Sequence, residues 1–444
     1  MEKAADWRAL LGRKLVTPDE AVRHVRPGSL VRLPLGPVPL TLLEALARRK
    51  GELEGVRVLQ GATAAPHPWT REPSAWHGIV DYVTDFASVL VRDAVAGRWA
   101  DFLVTDYSIG SRVREGGRRD NWSADAFFAL VSEPDETGTV GFGYSLWHSR
   151  SLLRSAKLRV AEVARGVLRT CGENAVALDE FDLVVESTAA PRESRSPYPA
   201  LSPERVEVTE TVGAYVSTLV SDGDTVQIGT GTLSSCMGGY LEGKRDLGID
   251  SEILVASAVE LVKKGVATGI HKTYHPGVAT GSFIVPGADF AFCHRNPRIA
   301  LYDIEWVNHL PRIASIRNLV AINQASAIDL TGQVASESIG ATMYTGPGGQ
   351  LVWTMGALLA PGGRAVHVLP STARRGQVSR IVPELPGGTV VTVPRTFVDF
   401  VVTEYGIANL QGLTQRERAL ALVDLAHPKF RAWLRSEARR RFWP

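Results

Sequence analysis

Two similar open α/β domains with mostly parallel sheets are the architecture this sequence predicts, on three observations. Short β-branched or apolar runs alternate with helical patterns and Gly-containing turns through most of the chain, as in parallel strands joined by crossover helices. A stretch over 187–203, STAAPRESRSPYPALSP, holds four prolines and four serines and divides the chain into halves of similar length. The two halves also repeat each other locally, with Gly28 falling on Gly223.

Taken in order, residues 30–35 read as a strand and 40–49 as a helix, followed by strands at 56–59 and 102–105. The segment Gly28-Ser-Leu-Val-Arg-Leu-Pro-Leu-Gly36 lies over Gly223-Asp-Thr-Val-Gln-Ile-Gly-Thr-Gly231, and Val31 meets Val226 as Leu46 meets Leu241. Each copy reads as turn, strand, Gly-containing loop and helix. At the same offset Val58-Leu59 meets Ile253-Leu254, the next strand in each half. The expected organisation is an N-terminal domain over 1–190, a linker over 191–204 and a C-terminal domain over 205–444. Such domains bind ligands in the cleft between them and at the carboxyl ends of strands, so the active site is expected in the interdomain cleft.

A chain of 444 residues accommodates two or three domains with sizeable cores. Its 49 basic and 47 acidic side chains nearly cancel, to a formal charge of +2, which gives no footing for nucleic acid. The run Arg439 to Arg441 reads as a solvated helix face. The three cysteines, Cys171, Cys236 and Cys293, are far apart and form no CxxC pair. That argues against a disulfide framework and a zinc site and fits a reducing compartment. Charges flank the short apolar stretch of MEKAADWRALLGRKLV, which does not read as a signal peptide. No run of about 18 apolar residues is present to cross a membrane. The cytoplasm is the expected location.

Five constellations carry chemical interest, all in the second half. Gln227-Ile-Gly-Thr-Gly-Thr-Leu-Ser234 reads as a strand entering a Gly-rich turn and a helix, where Gly229, Gly231 and Thr232 would let a ligand approach the backbone. It is neither a P-loop nor GxGxxG. In Ser251-Glu252-Ile253-Leu254 a carboxylate opens a probable strand beside apolar neighbours; it is either a solvated strand-start residue or a partly desolvated nucleophile. Thr345-Gly-Pro-Gly-Gly-Gln-Leu351 is a rigid turn whose amides, including those of Gly348 and Gly349 beside Gln350, suit an oxyanion. Residues 322–338 end a strand in a polar loop with Asp329, Thr331, Gln333, Ser336 and Glu337. Finally, Pro370 to Arg380 follows a strand with hydroxyls such as Ser371, a glycine and three arginines including Arg380, groups suited to phosphates. His271 and His275 lack a third ligand for a metal, and no GxSxG elbow occurs.

At these residues a resemblance becomes specific. AINQASAIDLTGQVASESIG, TGPGGQL, LPSTARRGQVSRIVP and VVTEYGIANLQGLTQRERALALVDLAHPKFR, in that order, look like the acetyl-CoA hydrolase/transferase family, which includes 4-hydroxybutyrate, butyrate and succinate CoA-transferases. The likeness runs from about Val206 to Arg431, with a thinner match through VSEPDETGTVGFGYSL in the first half. It implies two similar α/β domains, no metal and no permanently bound cofactor, a coenzyme A thioester and a small carboxylic acid as substrates, and a homodimer. The family's nucleophilic glutamate ends a motif LGIHTE, which here is Leu247-Gly-Ile-Asp-Ser-Glu252. By the same resemblance Gly348 or Gly349 supplies the oxyanion-side amide, Asn308 takes the place of an active-site asparagine, and Glu404 matches a recurrent glutamate. Gly229 and Gly231 match the glycine loop near the acyl and CoA site.

The chain also departs from the family pattern. Thr232, Leu233 and Ser234 replace the end of a GxIP loop, Val352-Trp353 stands where an Asp follows GGQ-hydrophobic, and Ala256-Ser257 replaces an Asp-Gly. In the first half Ala164 and Leu168 replace an Asn and a Pro. These changes point to a remodelled pocket. Three activities stay open at this stage: CoA transfer through a glutamyl-CoA thioester with ping-pong kinetics, acyl-CoA hydrolysis, and binding of an acyl thioester of CoA or a carrier protein without transfer.

Overall fold

A computed structural model of the chain describes residues 7–107, 124–189 and 202–444. They form two compact units, the first made of Met1–Ser194 with Phe290–Trp306 and the second of Arg195–Asp289 with Val307–Pro444.

The first unit is built on a seven-stranded sheet. Its strands are β1 (Leu30–Arg32), β2 (Val56–Gln60), β3 (Val80–Thr84), β4 (Asp101–Phe102), β5 (Ala126–Ser132), β6 (Leu158–Ala164) and β7 (Leu183–Glu186). They lie in the order β7-β6-β5-β1-β2-β3-β4, every pair parallel. Parallel strands covered on both faces need near-continuous apolar runs, and β5, AFFALVS, is one: Phe127, Phe128 and Val131 are fully buried. β1 is shorter than its sequence pattern, because Pro34 brings no N–H to the ladder. β4 likewise ends early, with Val104 well exposed. Helix α1 (Leu40–Arg48) buries Leu42, Leu43, Ala45 and Leu46. Its first amides are met by a buried carboxylate on β6: Glu162 accepts from Thr41 N at 3.2 Å and Leu42 N at 3.0 Å.

The second unit has a six-stranded sheet of β8 (Thr225–Ile228), β9 (Gly248–Ile249), β10 (Leu319–Gln324), β11 (Arg364–Val368), β12 (Phe400–Thr403) and β13 (Gly406–Asn409). The order is β9-β8-β10-β11-β12-β13, parallel throughout except for the final hairpin. Around it run α2 (Pro203–Thr218), α3 (Ala256–Lys263), α4 (Leu310–Ala314), α5 (Gln350–Leu359), α6 (Gln415–Leu425) and α7 (Pro428–Phe442). Thr414 opens α6 with a capping box to Glu417. On α7 the arginine run is paired, Arg440 and Arg441 both reaching Glu437 and Arg441 also Glu384.

The organisation expected from sequence is corrected at two places. The proposed linker lies outside the described residues up to 201, and its last two positions, Pro203 and Glu204, already form the first turn of α2. Proline fits there because its missing N–H is one the helix start does not use. The C-terminal domain is also not continuous over 205–444, since Phe290–Trp306 belongs to the first unit. Pairing explains this: Ala300 and Leu301 align in parallel with Cys171 and Gly172, and Glu173 N donates to Leu301 O at 2.8 Å.

The internal repeat is real at its start and diverges afterwards. Gly28 and Gly223 turn into β1 and β8 with φ of 76° and 79°. The next strand of the first half, β2, lies beside β1, whereas Ile253–Leu254 pairs outside the main sheet with Phe283–Ile284. The place beside β8 goes to β9, after which the chain leaves the sheet at Asp250.

Candidate active site

The residues singled out for chemistry all lie in the second unit. β8 has β9 on one side and β10 on the other, so its carboxyl end is a point where connections diverge, as at ligand crevices of open α/β sheets. The glycine loop follows it. Gly229 N donates to Ile322 O at 2.8 Å, and the Ser234 hydroxyl donates to Gly229 O at 2.8 Å. Gln324, ending β10, accepts from Leu233 N at 2.8 Å and Ser234 N at 3.4 Å. The glycines are needed for these approaches: a Cβ at Gly229 would overlap Asn323 Oδ1, and one at Gly231 would overlap Gln324 Oε1. Thr232 is half-buried in this loop, its carbonyl receiving the Cys236 thiol.

Glu252 sits next to that loop through Ser251. The Ser251 hydroxyl accepts from Ile228 N at 3.4 Å and donates to Ile253 O at 2.8 Å. Backbone bonds hold the same segment from the other side, Ser251 N to Thr280 O at 3.0 Å and Ser282 N to Glu252 O at 2.9 Å. The Glu252 side chain is 5% exposed. Asn308 Nδ2 donates to its Oε2 at 2.7 Å, and Asn308 is in turn oriented by Trp353, whose Nε1 donates to Asn308 Oδ1 at 2.9 Å. Both Asn308 and Trp353 are fully buried. With its oxygen committed to Trp353, the amide can only present its NH2 to the carboxylate. Gly349 is the cap of α5, and a Cβ there would overlap Glu252 Oε2, while the corresponding position on Gly348 lies 3.8 Å from Oε1. The carboxylate thus meets the N-terminal end of a ten-residue helix, where an anion is favoured.

Beneath this pair lies a buried ionic cluster. Asp250, two residues before Glu252, receives Arg312 at 2.8 and 3.1 Å and has Lys272 at 3.8 Å. Burial pushes the Asp250 carboxyl up, but the two cations outweigh it and the net shift is downward. Burial pulls the Lys272 ammonium down to about 8, against the opposing pull of Asp250.

Glu252, Asn308, Gly348 and Gly349 are therefore brought together, and Ser251 ties the Glu252 segment to Ile228, the residue before the loop of Gly229 and Gly231. The other sequence candidates make separate contacts. Gln350 begins α5 with its amide 3.4 Å from His367 Nδ1. Ser371 and Glu404 bond to each other. Arg380 is turned inward, donating to Ser326 O at 2.6 Å and Thr372 O at 3.3 Å. Gln333 closes its own turn on Asp329 at 2.6 Å. Sequence reasoning missed Gln324, Trp353, Asp250, Lys272 and Arg312 as site residues. Trp353 and Asp250 stand at departures from family motifs, which was the available signal; Gln324, Lys272 and Arg312 left none, because their partners are distant in sequence. Among the described residues one His/Asp/Glu group could gather ligand atoms within 4.8 Å of one another, His148, Asp303 and Glu305 in the first unit. There the Ser151 hydroxyl lies 3.2 Å from Asp303 Oδ2 and 3.0 Å from Glu305 Oε1.

Chemically, the second unit offers a largely buried carboxylate held by an amide donor at a helix start.

Comparison with known proteins gives a consistent result. Residues 288–438 match the acetyl-CoA hydrolase/transferase C-terminal domain. A 4-hydroxybutyrate coenzyme A transferase of Clostridium kluyveri is 35% identical over 442 residues, covering 98% of this chain and 100% of that protein. A succinyl-CoA:cyclohexane-1-carboxylate CoA transferase of Geobacter metallireducens is 35% identical over 431 residues, covering 96% and 95% of the two chains. Among solved structures, RipA from Yersinia pestis superposes with a TM-score of 0.89 at 32% identity, over 98% of this chain and 99% of that one.

Proposed function

This chain is a member of the acetyl-CoA hydrolase/transferase family, and from that premise we propose that it moves coenzyme A between an acyl-CoA and a carboxylic acid through a thioester on Glu252. The observation that carries the reading is the buried Glu252 carboxylate held by Asn308 against the start of α5.

A Glu252 oxygen attacks the thioester carbonyl, and collapse of the tetrahedral intermediate breaks the C–S bond to give an acyl-glutamyl anhydride and the CoA thiolate. The thiolate attacks the glutamyl carbonyl, expelling the first carboxylate and leaving glutamyl-CoA. An acceptor carboxylate then attacks that thioester, and the released thiolate attacks the acceptor's acyl carbon. A new acyl-CoA departs and the Glu252 carboxylate is restored. Every nucleophile and leaving group in this cycle is an anion, so no proton has to move. The site needs donors to oxyanions, a role the Asn308 amide and the backbone at Gly348 and Gly349 suit. The two relatives, both CoA transferases, support the same reaction class.

The test is intact-protein and peptide mass spectrometry after mixing with a panel of short acyl-CoAs. A CoA-sized adduct on the Glu252 peptide, absent from Glu252→Ala, is the expected result. Acyl-CoA consumed equally by both proteins with no adduct would remove Glu252 from the chemistry.

A further inference from the structure

We infer that Arg312 is a positioning residue for Glu252, clamping through Asp250 the two chain segments that carry Glu252 and Asn308; the inference rests on the transfer reading above. The guanidinium is bidentate on Asp250, Nη2 to Oδ1 at 2.8 Å and Nη1 to Oδ2 at 3.1 Å, and Nη2 also donates to Val307 O at 2.9 Å. Asp250 lies two residues before Glu252, and Val307 lies one residue before Asn308. One planar group therefore fixes both backbones from which the 2.7 Å contact between Asn308 and Glu252 is made. The guanidinium carbon also lies 5.9 Å from the centre of the Trp353 ring, and Trp353 is the group that orients Asn308.

Lys272 completes the ground beneath. Its ammonium donates to Ile249 O at 2.8 Å, Val278 O at 2.6 Å and Thr280 Oγ1 at 2.9 Å, so it fastens the residue before Asp250 to the segment that bonds Ser251. All three charged side chains are buried. A buried ionic cluster gives little net stability over an apolar one, because desolvation offsets the Coulomb gain; what it supplies is a fixed geometry. In the family motif LGIHTE a His stands at the position of Asp250. A His cannot accept the two parallel N–H bonds that a carboxylate takes from Arg, so the clamp belongs to this chain's version of the site.

A lysine at 312 keeps the charge but loses the bidentate pairing with Asp250, and its ammonium ends about one bond short of the position from which Nη2 reaches both Asp250 and Val307. Displacements of about 1 Å at a reacting group cost roughly 100-fold in rate. The experiment measures adduct formation by mass spectrometry and steady-state transfer between butyryl-CoA and acetate for the wild type, Arg312→Lys, and the charge-neutral double variant Asp250→Asn/Arg312→Gln, with the crystal structure of Arg312→Lys. The expected result is kcat lowered about 100-fold in Arg312→Lys with KM for butyryl-CoA within about threefold, and a Glu252–Asn308 separation beyond hydrogen-bonding distance. The double variant, which removes the clamp at unchanged net charge and leaves Lys272 on Ile249 O, Val278 O and Thr280 Oγ1, is expected to lose kcat to a similar extent while melting cooperatively. Wild-type kcat in either variant, or a loss no greater than its unfolded fraction, would overturn the inference. If the wild type itself forms no adduct, the transfer reading fails. The clamp is then judged on the crystal structure alone: an unchanged Glu252–Asn308 contact in Arg312→Lys overturns it, and a broken one upholds it.

Discussion

Ser371 holds both oxygens of Glu404, its amide donating to Oε2 at 2.9 Å and its hydroxyl to Oε1 at 2.5 Å. Ser371 is fully buried, and Glu404 occupies the two-residue turn between β12 and β13. The contact anchors the start of the Thr372–Ser379 hairpin to the sheet. Replacing Glu404 with Ala leaves a buried amide and hydroxyl without an acceptor, at a cost of about 2 kcal/mol. The urea midpoint of Glu404→Ala should fall accordingly, and that of Glu404→Gln, which keeps one acceptor, should fall less. An unchanged midpoint in the Ala variant would dispose of the anchor.

Gly349 is where a single methyl group should do most harm. Its φ is ordinary, so Ala has no backbone strain there, but the added Cβ would overlap Glu252 Oε2 and lie 2.9 Å from both Asn308 Nδ2 and Trp353 Cδ1. Gly349→Ala should lower transfer by about 100-fold or more, as expected for a displaced nucleophile. Gly239→Ala is the control, since a Cβ there meets nothing within 4 Å. Equal activity of the two variants would mean the carboxylate is not in place where the structure puts it.

Acid should weaken the fold through its buried histidines. Burial alone pulls His367 down to about 4, and burial likewise pulls His67 down to about 3. Both are neutral in the folded chain at pH values where the unfolded chain already binds a proton, near 6.5. Stability is therefore complete above pH 6.5 and lost as pH falls from there toward 4, by up to about 3 kcal/mol for His367. Denaturation midpoints measured across that window should drop more steeply in the wild type than in His367→Gln.

Asp303 has the opposite sign. Burial first, with Glu305 adding to it, pushes its carboxyl up to about 6. A raised folded-state value means a contribution fully present below the unfolded value of about 4 and lost as pH rises through 6. Asp303→Asn, which can still accept from Glu305 N, should be more stable than the wild type at pH 8 by up to about 3 kcal/mol, and the gap should close below pH 4. A variant less stable than the wild type at pH 8 would contradict this.

What could be read from sequence was what local pattern encodes. β2, α1, β8 and β10 follow from apolar runs punctuated by Gly and Pro, and the Gly28/Gly223 correspondence marks two turns of the same geometry. Glu252 and the 348–349 pair stood out as candidates in local pattern and took their roles, as Asn308 did, from a family resemblance; the structure sets all of them in one cluster. The apolar neighbours of Glu252 hinted at burial, but no local signal tells a solvated glutamate from one facing an amide 56 positions away. The same holds for Arg312, 62 positions from Asp250. The boundary at 290 was invisible for a related reason: a two-residue pairing between Ala300-Leu301 and Cys171-Gly172 leaves no periodicity to detect.

That pairing also bears on how the chain is made. Phe290–Trp306 completes a unit whose other residues all precede 195, so the first unit cannot finish assembling until roughly two-thirds of the chain has left the ribosome. Through that interval the start of the second unit is already emerging. A gene cut at 195 would yield a leading fragment deprived of a piece of itself and a trailing fragment burdened with a segment that has no home.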